Sequence, residues 1–129
     1  MAQSAKTRRE QGSAAVDFVL VGSLLTVVFM AVIQLALVLH VRNTLIDAAA
    51  SGARYGALAD REATDAQRRT ESLISMALSD AYAQNVLVDQ VSYMGVPTVE
   101  VTVTAPLPVI GLVGPGGVIE VSGHAARTS

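Results

Sequence analysis

An apolar segment without a charged residue, residues 18–39, constrains this chain most (FVLVGSLLTVVFMAVIQLALVL). As a helix it measures about 33 Å at about 1.5 Å per residue, and the hydrocarbon core of a bilayer is about 30 Å thick. The whole chain has 129 residues, too few to cover such a helix on every side, as the core helix of a soluble protein requires. We therefore predict one membrane-spanning helix and place it within residues 13–41.

A cleaved secretory signal is the main alternative for this segment. The apolar core of such a signal spans about 7–15 residues and precedes a small-x-small cleavage site. The run in this chain is longer, and His40, Val41 and Arg42 follow it. The sequence therefore favours a helix that stays in the membrane.

The charges around the span predict its orientation. Lys6, Arg8 and Arg9 precede it, against the single acid Glu10, whereas acids outnumber Lys and Arg in the remainder. Basic flanks stay on the cytoplasmic side. We expect a single-pass protein of the cytoplasmic (inner) membrane, with its N-terminus inside and its C-terminal region outside. The acidic remainder gives no case for a nucleic-acid partner.

Beyond the span, residues 42–85 are predicted to form an extracytoplasmic helical region. Small residues at Gly52, Ala53 and Gly56 leave a face thin enough for another helix to approach closely, although an unpartnered alanine-rich helix remains an alternative. A second amphipathic helix is predicted at 62–85, capped by Thr64 with Gln67. Its expected apolar face comprises Ile74, Ala77, Leu78, Ala81 and Tyr82.

The period then changes to the alternation of β-strands, so residues 86–129 are predicted to form a small β region. Strands are expected at 86–94, 98–105 and 117–125, with a tight turn at 95–97. The fold class is therefore α+β, with a three-stranded antiparallel sheet. A loop rich in Pro and Gly, residues 106–117, carries apolar side chains that we interpret as a possible partner contact: Val109, Ile110, Leu112 and Val113.

Residue types that carry chemistry are sparse. The chain has no cysteine, and its two histidines, His40 and His124, have no metal-ligand spacing around them. No candidate nucleophile has a base near it in the sequence. We expect no enzymatic activity, no metal and no cofactor.

One acid stands out because it lies at the edge of the span. Asp17 is the fifth residue when Ser13 is counted as the first, and Phe18 follows Asp17. Gly12 directly precedes Ser13 and comes after a short basic segment. This order resembles a class III-type prepilin signal. In such a signal the chain is cleaved after a glycine, an acid is the fifth residue after the cleavage site, and an apolar helix follows. The resemblance implies a leader of residues 1–12 that a membrane prepilin peptidase removes. Asp17 would then face the new α-amine of Ser13 or that of a neighbouring helix.

The resemblance extends to residues 8–60, which are similar to TadE-like pseudopilins of the tight-adherence (Tad or Flp) pilus. That family has an acid at the fifth mature position, usually Glu where this chain has Asp, then an arginine-asparagine step and a GAR-aromatic stretch; here these are Arg42–Asn43 and Gly52–Tyr55. The resemblance implies a minor pilin in pilus assembly or secretion, with the lipid bilayer, prepilin peptidase, other pilins and the assembly platform as partners. Alternatives are a related TadF-like pseudopilin and a bitopic subunit of a membrane complex with an uncleaved anchor.

Overall fold

The computed structural model describes residues 2–108 and 117–127, with side chains from residue 8 onward. The elements in chain order are α1 (Ala2–Gly56), α2 (Ala63–Ala77), a 3₁₀ helix (Asp80–Ala83), β1 (Val86–Tyr93), β2 (Val96–Pro106) and β3 (Val118–Ala126). The predicted α+β class is confirmed. The apolar loop residues proposed as a partner contact, Val109, Ile110, Leu112 and Val113, lie outside the described residues.

The chain divides into two compact units, Met1–Ala36 and Leu37–Ser129, and α1 contributes to both. In the first unit the large apolar side chains are exposed over successive turns, from Val16 and Phe18 to Leu35. Among the described residues, one helix is long and apolar enough to cross a membrane, and 6% of its most apolar window is buried. Such exposure does not fit the buried core helix of a soluble protein, and it supports a single-pass membrane protein.

The second unit has two layers, a helical layer and a sheet. The C-terminal part of α1 supplies fully buried residues such as Leu45, Ala49 and Ala53. A signal cleaved directly after the span would cut α1 where its residues enter this core. The sheet is antiparallel in the order β1-β2-β3, and β2 is its central strand. The predicted alternation along β2 is confirmed, because Val99, Val101 and Val103 are buried in the core.

The second helix is shorter than predicted, and the prediction of its N-cap residue was wrong. The prediction of one helix over 62–85 fails at Leu78, whose backbone (φ −123, ψ −93) ends α2; the separate 3₁₀ helix follows. Glu62, not Thr64, is the N-cap residue, and the Asp65 carboxylate accepts a hydrogen bond from the Glu62 N–H at 2.8 Å. Gln67 donates instead to the Glu71 carboxylate, at 3.1 Å.

The buried face of α2 also differs from the prediction. It comprises Ala66, Thr70 and Ile74, whereas the expected face residues Ala77 and Ala81 are exposed. Ala66 and Thr70 face Gly56 and Gly52 of α1, where larger side chains would not fit. The size of the partner surface therefore selects the buried side of α2.

The first turn of the sheet lies one residue earlier than predicted. Tyr93 pairs with Val96, so Met94 and Gly95 form a two-residue hairpin turn in place of 95–97. Both turn residues have positive φ, 52° for Met94 and 80° for Gly95, which is the backbone of a type I′ turn. Pro97 lies inside β2, opposite Ser92.

Candidate processing and assembly site

The residues expected to direct processing lie on one uninterrupted stretch of α1. Gly12, Ser13, Asp17 and Phe18 are all exposed. Asp17 follows Ser13 by four residues, a rise of about 6 Å, so both lie on the same side of the helix. A Cβ atom added at Gly12 would meet no atom within 4 Å. A side chain at Gly12 would therefore extend into open space.

Hydroxyl groups within the span are satisfied by the helix itself. Ser23 donates to the carbonyl oxygen of Val19 at 2.7 Å, and Thr26 donates to that of Gly22 at 2.8 Å. A hydroxyl in hydrocarbon needs such a partner because water is absent there. These contacts make Ser23 and Thr26 compatible with lipid.

The small residues proposed for helix packing lie inside the second unit and face α2 of the same chain. A Cβ atom at Gly52 would overlap the Thr70 hydroxyl, and one at Gly56 would overlap the Ala66 Cβ. Ala53 is fully buried beside them. The absence of side chains at the two glycines lets α1 and α2 approach each other closely.

Tyr55, the aromatic residue of the GAR-aromatic stretch, has a role that the sequence did not reveal. The guanidinium carbon of Arg61 lies 4.8 Å from the centre of its ring, and that of Arg69 lies 5.7 Å from it. Both distances are typical of cation–π contacts. The arginines come from the α1–α2 connection and from α2, so no local sequence pattern marks their meeting with Tyr55.

The described residues contain no group of three or more His, Cys, Asp or Glu side chains arranged to hold a metal ion. His124 lies instead on the sheet, where its Nε2 atom is 2.7 Å from a carboxylate oxygen of Glu100. Its ring centre is 6.3 Å from that of Tyr93. His40 lies exposed on α1. The two histidines therefore lie on different elements, one on α1 and one on β3.

Comparison with known proteins gives one match. Residues 12–54 match the family model described as TadE-like protein. No curated protein and no solved structure matches the chain. The matched segment begins at the expected leader glycine, includes the apolar span and ends at Arg54, before the Tyr55 ring. The resemblance drawn from the sequence is confirmed over this segment, which is similar to TadE-like proteins and covers about a third of the chain.

Proposed function

We propose that the protein is a minor pilin or pseudopilin of a Tad-type pilus or a related secretion filament. In this proposal a prepilin peptidase cuts after Gly12, and the subunit assembles through its N-terminal helix. One observation carries the proposal: the TadE-like match starts at Gly12 and continues into a helix whose apolar side chains are exposed in successive turns. Such a surface needs either lipid or other helices to cover it.

The physical reason for the cut lies in the charge that it creates. A charged side chain within a span is costly unless it is paired. Removal of the leader supplies a cation, the α-amine of Ser13, four residues before Asp17. Before assembly the helix is held in the inner membrane, with the leader inside and the second unit outside. Afterwards its partners are other pilins and the assembly platform.

Leader removal can be tested with amine chemistry, because Lys6 is the only lysine in the sequence. A chain cut after Gly12 retains one primary amine, that of Ser13. We expect an amine-specific reagent, applied to the protein isolated from its native membrane, to label Ser13 alone in peptide mass spectrometry. Gly12→Leu is the control, and it should retain the leader and the label on Lys6. Label on Lys6 in the parent protein would instead identify the uncleaved bitopic anchor.

Orientation is tested by cysteine labelling, since the parent chain has no cysteine. Ser122 is exposed on β3, and Ser122→Cys should react with a membrane-impermeant maleimide in intact cells. Ser4→Cys, placed in the uncut Gly12→Leu chain, should react only after lysis. The opposite pattern would contradict an extracytoplasmic second unit.

A further inference from the structure

Three arginines lie near the Tyr55 ring, one in the α1–α2 connection and two in the first half of α2. Arg61 and Arg69 lie over the Tyr55 ring at 4.8 and 5.7 Å, and Arg68 lines an open depression of about 220 Å³ that Tyr55 and Arg69 also line. We call Tyr55, Arg61, Arg68 and Arg69 the arginine–tyrosine cluster. Like charges held this close favour an anionic partner.

The acids near this cluster compensate its charge only in part. Asp65 lies 3.5 Å from Arg68. Asp60 lies 3.8 Å from the Arg61 Nε atom, too far for a hydrogen bond, and that buried atom has no acceptor among the described residues. No ion pair joins Arg69 to a carboxylate in residues 8–108 or 117–127. The cluster thus retains an unpaired cation and an unused donor.

The outward face of the sheet has the opposite charge. Strand register places Asp89 directly across from Glu100 and places Glu120 on the same side of the sheet. The outward positions of the three strands include neither Lys nor Arg. Carboxylates directly opposite each other on neighbouring strands repel. His124 contacts Glu100, while Asp89 and Glu120 are exposed. We call Asp89, Glu100 and Glu120 the acidic sheet face.

These two surfaces belong to different layers of the second unit. The valines of β2 are buried on the inner face of the sheet, and β3 contacts α1 there through Gly123. The acidic sheet face points away from the helices, and the arginine–tyrosine cluster lies on the helical layer. One molecule cannot bring the two surfaces together, but two molecules can.

We propose that the arginine–tyrosine cluster of one copy docks on the acidic sheet face of a second copy. The contact joins two different surfaces, so one copy of the pair keeps its acidic sheet face free and the other keeps its arginine–tyrosine cluster free. Such heterologous contacts form open filaments when the rotation between copies does not close a ring. This inference rests on the proposed function and identifies a contact between subunits outside the membrane.

The contact can be detected by crosslinking two differently tagged full-length copies in their native membrane. One copy has Gln67→Cys, an exposed position beside the cluster, and the other has Ser122→Cys on the outward side of β3. A short bis-maleimide should link the two cysteines and so give a product that carries both tags. Each cysteine variant paired with itself is the control, and crosslinks confined to those pairs would overturn the proposal.

Charge reversal tests the chemistry of the contact. Exposed charge pairs contribute up to about 1 kcal/mol each, so Arg69→Glu in the first copy should reduce the crosslink about five-fold. Asp89→Arg in the second copy should do the same, and the two reversals together should restore it. Arg69→Gln, which adds no negative charge, should give a smaller loss. Asp80→Arg on the exposed 3₁₀ helix is the control for Asp89→Arg, because it makes the same charge change away from the acidic sheet face. It should leave the crosslink unchanged.

The outcomes separate this contact from the proposed function. If the crosslink is absent while leader removal and co-isolation with other pilins persist, the contact between copies is wrong and the pilin function stands. If leader removal and co-isolation are also absent, the function itself fails. If the reversals reduce the crosslink but their combination does not restore it, the cluster binds another anion, such as a lipid headgroup, and the proposal is overturned.

Discussion

Gly123→Ala is expected to destabilise the second unit because the added methyl group meets backbone atoms. Its Cβ would lie 2.5 Å from the carbonyl carbon of Ala49 and 2.7 Å from the Cα atom of Ala50, whereas carbon atoms pack at about 3.5–4.0 Å. A side chain could rotate away, but a helix backbone cannot, so β3 and α1 must separate. Overpacking of this kind costs about 1–3 kcal/mol. Alanine regains about 0.5–1 kcal/mol over glycine in a strand, so the middle of the two ranges gives a net loss of about 1 kcal/mol.

Ser122→Ala is the matched control, because it places the same residue on the same strand but on the exposed side. Thermal unfolding of the full chain in detergent, followed by protease susceptibility, measures the difference. For a unit of this size, about 1 kcal/mol corresponds to about 4–8 °C in Tm. Equal Tm values for the two variants would refute the close approach of β3 to α1.

Three further perturbations test other parts of the chain. Gly52→Ala should lower stability by about 1 kcal/mol, as overpacking against Thr70 outweighs the gain in helix propensity; Thr70→Ala in the same chain should recover part of the loss in the same Tm assay, and strictly additive effects would contradict the contact. Gly95→Ala should cost about 1–2 kcal/mol because its φ of 80° is unfavourable for alanine, and an unchanged Tm would argue against the type I′ turn. Asp17→Ala and Asp17→Asn should lose the leader yet co-isolate poorly with other pilins, while Asp17→Glu should be tolerated. Normal co-isolation of the Ala and Asn variants would show that the acid has no role in assembly.

The sequence predicted those elements that repeat one physical pattern over many residues. The uncharged run of residues 18–39 can satisfy its backbone only as a helix in lipid, and the alternating valines of β2 can bury one side only as a strand. The turn was misplaced because Gly95 and Pro97 are both common turn residues. Met94 is not one, yet the pairing of Tyr93 with Val96 forces it to a φ of 52°.

The candidate site was predictable only where it is local in sequence. Gly12, Ser13 and Asp17 follow one another closely along the chain, so a resemblance to a known signal could point to them, and their role stays a prediction. The two arginines over Tyr55 could not be predicted from the local sequence, because they reach the ring from the α1–α2 connection and from α2. The buried side of α2 was also set by its partner, since the closeness of Gly52 to Thr70 depends on how two helices cross.

The connectivity of the second unit has a consequence for how the chain folds. Each strand of the sheet pairs with its neighbour in sequence, and α1, which supplies the opposite wall of the core, precedes all of them. Contacts between elements close in sequence form quickly, because short loops lose little entropy on closure. Each element that emerges can therefore pack onto a surface that already exists. In the proposed orientation the chain is delivered across the membrane from its N-terminal anchor, and it can complete its fold in the order in which it is delivered.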